Sequence, residues 1–242
     1  MKVVALNSSP KMEKGGTALI LNPFLEGLAE AGAEVELFYL RKLEIKPCLG
    51  EFACWFRTPG RCVQRDDMEM LLPKLEASEI IVFATPVFVD GMSASMKALI
   101  ERCLPLVQPL FEIRDGHCRH PRRGEVRPQR AVLVSVCGFT ELDNFSPLLA
   151  HMEAICRNLG VEFAGALLRP YAAALPRLKR MGLPVDEVYD AAKEAGRQLV
   201  RDGRMDEKTL VKVSHDLLPR EEYIRGINAR FQEALEALAQ AD

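Results

Sequence analysis

At 242 residues, 48% apolar and 27% charged, the chain has the composition of a globular protein with one substantial core, which excludes disordered and fibrous classes. A formal net charge of -2 recruits neither nucleic acid nor a membrane surface, and no apolar run is long enough to span a bilayer. Seven cysteines, an odd number in a chain this long, argue against a disulfide framework and leave a redox or metal role open for some of them.

The N-terminal apolar run is too short for a signal peptide, so a cytoplasmic location is expected. Strand-like runs follow at 3–6, 35–39, 80–84, 131–136 and 161–168, with amphipathic helical stretches between them. This βα alternation predicts an α/β protein of three layers, with a five-stranded parallel sheet ordered 2-1-3-4-5. A first helix is expected from about Thr17, with Ala18, Leu21, Leu25 and Leu28 on one face and Gly32 to end it. A later helix opens at Asp66 or Asp67, where Asp66 and Glu69 have the spacing of a capping box and take no chemical role. Three stretches break the alternation: a cysteine segment at 48–62, a basic segment at 108–129, and a helical extension from about 184. The expected organisation is a ligand-binding domain over 1–183 and an extension over 184–242 that packs on the domain or on a sister subunit. In that extension Pro219 suits a first helical turn, and Ile224, Ile227, Phe231, Leu235 and Leu238 form an apolar stripe. No internal repeat or low-complexity tract is present.

In an open parallel sheet, ligands bind at the carboxyl ends of the strands. The loop after the first strand carries Ser8, Ser9, Pro10, Lys11, Gly15, Gly16 and Thr17 into a helix N-terminus. Hydroxyls and free backbone N–H groups can converge there on a phosphate, and the two glycines permit close approach. The spacing is neither that of a Walker loop nor Gly-x-Gly-x-x-Gly, so a monophosphate such as that of FMN suits it; a loop that only caps a helix is the alternative. After the third strand come Thr85, Pro86, Val87, Phe88, Gly91, Met92 and Ser93. This apolar turn could stack on an isoalloxazine, or Phe88 could be tucked into the core and Ser93 could be only a helix cap. The fourth strand ends in Cys137, Gly138 and Phe139 at the same rim.

These pieces, with the cysteine segment closing in Asp66-Asp67-Met68, Lys97 and the tail around Leu217-Leu218-Pro219, resemble the NADPH-dependent FMN reductase family. The likeness is to its iron-sulfur flavoprotein branch, within the flavodoxin-like superfamily, and it runs over nearly the whole chain. It implies FMN held by these loops, NAD(P)H as co-substrate, and a homodimer or homotetramer. The segment with Cys48, Cys54 and Cys62 resembles the family's four-cysteine cluster motif with one cysteine missing, Glu51 standing in its place. A carboxylate is a poor corner ligand for iron-sulfur chemistry, so a stable [4Fe-4S] cluster is not expected; were one present, Cys48, Cys54 and Cys62 would hold it with a carboxylate, water or a remote cysteine such as Cys103 or Cys118. Otherwise the three thiols are a reactive set near the flavin or, as favoured here, structural residues of a loop around Trp55 that covers the active site.

His117-Cys118-Arg119-His120 lacks a second ligand group for a metal and reads as a solvated rim loop. Arg114, Arg119, Arg122, Arg123 and Arg127 could draw dinucleotide phosphates or only solvate the excursion. His151 and His215, expected in helices, have structural roles by default, and no hydrolase triad is present. The expected function is an FMN-dependent oxidoreductase taking electrons from NAD(P)H to a small-molecule or small electron-carrier acceptor, with no particular side chain required as catalytic acid or base. The rivals are an iron-sulfur flavoprotein or a flavodoxin-like carrier that does not use NAD(P)H, and a thiol-based redox sensor.

Overall fold

Near-continuous apolar runs can form strands only where both faces are covered, and the chain provides two helical layers to cover them. The computed structural model describes residues 1–124 and 127–240; residues 125–126 of the basic segment and 241–242 of the tail lie outside the described residues. In chain order the elements are β1 (Lys2–Asn7), α1 (Gly16–Glu30), β2 (Glu34–Tyr39), α2 (Ala53–Phe56), α3 (Met68–Ala77), β3 (Ile80–Pro86) and α4 (Ala94–Glu101). There follow β4 (Glu112–Arg114), β5 (His117–Arg119), β6 (Arg130–Val136), α5 (Ser146–Leu159), β7 (Glu162–Arg169) and α6 (Leu175–Arg180). The chain ends in α7 (Val185–Asp202), α8 (Glu207–Ser214) and α9 (Arg220–Ala239).

The main sheet is parallel with the order β2-β1-β3-β6-β7, the expected 2-1-3-4-5 arrangement once the separate β4–β5 hairpin is set aside. Strand periodicity sends alternate side chains to opposite layers. Val3, Ala5, Ile80, Val82, Val132 and Val134 meet α1 and α7 on one face. Val4, Leu6, Ile81, Phe83, Ala131 and Leu133 meet α3, α4 and α5 on the other. Helix α7, which falls within the 184–242 extension, thus forms one of the two helical layers with α1. Met205, Val213 and Leu217 belong to the same apolar cluster, which carries the tail onto the core as far as α8.

Local expectations are met in part. Helix α1 opens one residue before Thr17 and runs into Gly32, whose φ of +94° is the left-handed conformation that favours glycine. The basic segment, expected as a plain loop, contains the antiparallel β4–β5 hairpin, turned through Asp115 and Gly116 in left-handed conformations. Asp115-Gly116 is a hairpin dipeptide, and that signal was readable. No capping box forms at α3: Glu69 pairs with Arg65, while the Asp66 carboxylate takes the Met68 N–H at 3.1 Å and is drawn into a buried pair with Arg102. His215 lies just past α8 rather than in a helix, its Nδ1 2.6 Å from the Lys212 carbonyl.

Candidate functional site

The loops after β1, β3 and β6 meet at the carboxyl edge of the sheet. Ser8 and Ser9 are buried, and Pro10 and Lys11 are exposed before a short 3-10 turn over Met12–Lys14. Asn7 Oδ1 accepts the Ser9 N–H at 2.9 Å, which bends the chain out of β1. A Cβ at Gly15 would collide with the Ser9 hydroxyl, and one at Gly16 would press on Ala172, so the loop folds tightly on itself and on the residues after β7. Helix α1 starts with no side chain capping it. The Thr17 Oγ1 and Asn7 Nδ2 atoms are buried there without a hydrogen-bond partner. An uncapped helix N-terminus with an orphaned hydroxyl is an incomplete hydrogen-bonding arrangement, and an anion seated there supplies the acceptor oxygens it lacks.

The first and third loops are tied together. Ser93 Oγ donates to Ser8 Oγ at 2.7 Å, and Ser8 Oγ donates to the Ala84 carbonyl at 3.2 Å. Ser93 also caps α4 by accepting the Met96 N–H, as expected of a helix cap. Thr85 Oγ1 accepts the Ser93 N–H at 3.0 Å, and Val87 N–H donates to the Val136 carbonyl at 2.8 Å, joining the loops after β3 and β6. Between them Val89 and Asp90 adopt φ of +48° and +62° in a tight turn closed by Phe88 and Gly91. Phe88 is 51% exposed and Val89 99% exposed, so this turn presents apolar surface to solvent instead of tucking Phe88 into the core. Met92 is buried beneath it.

Cys137 is buried, and burial pushes its thiol up; Gly138 and Phe139 are exposed. Tyr171 N–H donates to the Phe139 carbonyl at 3.1 Å, and Tyr223 Oη donates to that of Gly138 at 2.8 Å, so α9 reaches this rim. Neither Tyr171 nor Tyr223 was singled out by sequence reasoning; for Tyr223, nothing local in the tail points to a strand end 85 residues away. Thus every residue expected at the three loops lies at one edge of the sheet.

The cysteine segment and the basic hairpin pack on each other instead. Trp55 Nε1 donates to the Leu104 carbonyl at 3.0 Å, and the Trp55 ring lies 4.7 Å from that of His120, which in turn lies 5.0 Å from Phe111. Cys54 is buried, its thiol pushed up by burial and by the neighbouring Cys62, Glu51 and Cys48. Cys62 lies beside the Arg102 guanidinium, which is committed to Asp66. Cys103 sits in the core, its thiol pushed up to about 12 by burial, and Cys118 is exposed on the hairpin. Among the described residues no group of three or more His, Cys, Asp or Glu could hold a metal ion.

The arginines of the basic segment are used within the chain. Arg114 donates to the Asn158 carbonyl, and Arg114 and Arg122 lie against Gly160, at the amino edge of the sheet where α5 turns into β7. Arg123 donates to the carbonyls of Pro105 and Val107, and Arg119 to that of Cys118. These contacts favour the structural reading of the segment over a phosphate-binding one.

Residues 1–120 match the model of the NADPH-dependent FMN reductase family. Similar proteins include an iron-sulfur flavoprotein of Methanocaldococcus jannaschii, 36% identical over 44% of this chain and 53% of that protein. Another is a candidate NAD(P)H-dependent FMN-containing oxidoreductase of Bacillus subtilis, 26% identical over 69% of this chain and 84% of that one. The chain spans about half the length of the iron-sulfur flavoproteins it matches. Among solved structures, an FMN-dependent NADH-azoreductase of Bacillus anthracis in complex with FMN superposes with a TM-score of 0.62 at 14% identity, covering 83% of this chain and 99% of that one. An NAD(P)H:quinone oxidoreductase of Methanothermobacter marburgensis gives 0.58 at 20% identity over 82% and 96%. These likenesses show the flavodoxin-like fold.

Proposed function

We propose that the protein is an FMN-dependent oxidoreductase taking electrons from NAD(P)H and passing them to a small-molecule or protein acceptor, a reading supported by the match of residues 1–120 to the model of the NADPH-dependent FMN reductase family. The observation that carries the reading is the unfinished N-terminus of α1: an uncapped first turn, a close-packed Gly15 and the orphaned Thr17 hydroxyl, all at the carboxyl edge of β1. A monophosphate fits that donor set.

In this reading Ser8, Ser9, Pro10, Lys11, Gly15, Gly16 and Thr17 hold the phosphate. The Ser8–Ser93 hydrogen bond sets the third loop against it. Thr85, Pro86, Val87, Phe88, Gly91 and Met92, with Cys137, Gly138 and Phe139, offer an apolar, backbone-rich surface to a planar ring, and Phe88 and Phe139 keep water from its face. When bound, FMN supplies hydride acceptance and one- or two-electron release. The side chains bind, orient and exclude water.

An iron-sulfur cluster does not fit the residues present. The thiols near one another are Cys48, Cys54 and Cys62, with Glu51 as the other donor, and Cys62 is next to a guanidinium already paired with Asp66. Assembly as a homo-oligomer in the cytoplasm completes the proposal; among the described residues no helix is long and apolar enough to cross a membrane.

The test is the absorption spectrum of the purified protein after addition of FMN, followed by NADH or NADPH under anaerobic conditions. Bound flavin bands that bleach with either nicotinamide are the expected result. Flavin that binds but is not reduced by either would favour the electron-carrier reading, and a protein that takes up no flavin would refute the proposal.

A further inference from the structure

Helix α9 leaves the body of the molecule partway along its length. Its first turns are tied down by Tyr223, which stacks on Tyr171 and bonds to Gly138, and by the half-buried Gly226 and Ile227. From Asn228 to Gln240 every residue is exposed. Three turns of helix with no tertiary cover are marginal in water. The uncovered half also carries large apolar side chains, with Phe231, Leu235 and Leu238 59–67% exposed.

The pattern of those side chains selects their partner. Ile224, Ile227, Phe231, Leu235 and Leu238 are spaced three, four, four and three residues apart, a series that reads the same in both directions. Reversing the chain about Phe231 lays Ile224 on Leu238, Ile227 on Leu235 and Phe231 on itself. Spacings of three and four are those of a helix-pair seam.

We propose that α9 is a dimerisation helix that packs antiparallel against α9 of a second copy of this chain, on a two-fold axis through Phe231. The contact is isologous, as a closed dimer requires. It brings the Gly138 rim, to which Tyr223 is bonded, close to the subunit boundary. It stands on the helix alone and does not depend on the flavin reading.

The test uses the full chain. Phe231→Cys, Ile224→Cys and Leu238→Cys are made singly and oxidised with copper phenanthroline, with the wild type as background for the native thiols, and dimers are read on a non-reducing gel. Phe231→Cys is expected to cross-link with itself. Ile224→Cys and Leu238→Cys are each expected to stay at background alone and to cross-link when mixed. Self-linkage of Ile224→Cys, or no linkage of Phe231→Cys, would overturn the antiparallel pairing. Independently, the double variant Phe231→Glu with Leu235→Glu is expected to halve the mass seen by sedimentation while circular dichroism is unchanged. An unchanged mass, or a monomeric wild type at micromolar concentration, would overturn the interface.

Discussion

Thr17 is the residue at which the proposed phosphate site can be set against the stability of the empty protein. Its Oγ1 is buried without a partner, and an unsatisfied buried hydroxyl costs roughly 1–3 kcal/mol. Thr17→Val keeps the shape and removes the hydroxyl, so FMN affinity is expected to fall about tenfold or more while the flavin-free protein gains about 1 kcal/mol against urea. The opposite signs separate a ligand-binding role from a structural one; affinity is read by flavin fluorescence quenching, and a variant that loses both or neither refutes the assignment. The cysteines differ in the same residue-specific way. Burial pushes the thiols of Cys103 and Cys156 up to about 12 and about 11, and those of Cys54 and Cys137 upward. Iodoacetamide at pH 8 is therefore expected to label the exposed Cys118 first and to reach Cys103 and Cys156 only after unfolding, as mass spectrometry of the peptides will show.

At the scale of elements, α1 and α7 pack closely enough that glycine stands at both crossing positions. A Cβ at Gly27 would collide with the Lys193 carbonyl, and one at Gly196 with the Phe24 carbonyl. Both obstacles are backbone, so they cannot rotate away. In a free helix Gly196→Ala gains about 1 kcal/mol of propensity. Here the forced separation of two core helices outweighs that gain, and a net loss of about 1–3 kcal/mol is expected in urea denaturation. The tail is held by a different device. The Arg169 side chain is fully buried at the end of β7 and donates to the carbonyls of Val213, at 3.1 Å, and His215, at 2.7 Å, just past α8. Tyr171 Oη accepts the Leu217 N–H at 2.9 Å and donates to Asp216. These bonds replace the helix-end partners that α8 lacks and aim α9 at the Gly138 rim.

For the whole molecule, the Asp66–Arg102 pair joins the start of α3 to the end of α4 and both to residue 46. Arg102 reaches Asp66 at 2.6 and 3.1 Å with both groups buried, and Lys46 supplies its N–H to Asp66 and its carbonyl to Arg102. Burial by itself raises the Asp66 carboxyl, but the hydrogen bonds from Arg102, Lys46 and Met68, with the Arg102 charge, outweigh it and hold the group below the usual carboxylate value. A depressed carboxylate contributes stability that is fully present above its unfolded pKa, near 4, and is lost as pH falls through the folded value. Asp66→Asn leaves the guanidinium buried and unpaired, so it is expected to cost about 3–5 kcal/mol at pH 7 and to flatten the stability–pH curve below pH 4. Urea midpoints of both proteins between pH 2.5 and 7 measure this, and parallel curves would refute it.

The five parallel strands, their order and the three loops at the carboxyl edge were legible in the sequence, because a strand covered on both faces must be apolar at successive positions and a tight loop must use glycine and hydroxyl residues. Runs such as 80–84 and residues such as Gly15 and Gly16 carry that information locally. What periodicity along the chain cannot carry is the identity of distant partners. Only the tertiary structure decided that Ser93 bonds to Ser8, that Asp66 leaves a capping box for Arg102, that Arg114 and Arg122 lie at the amino edge, and that α7 is a core layer. Each of these depends on which groups are brought together out of water, and burial sets the strength of a polar contact and the cost of leaving one unmade.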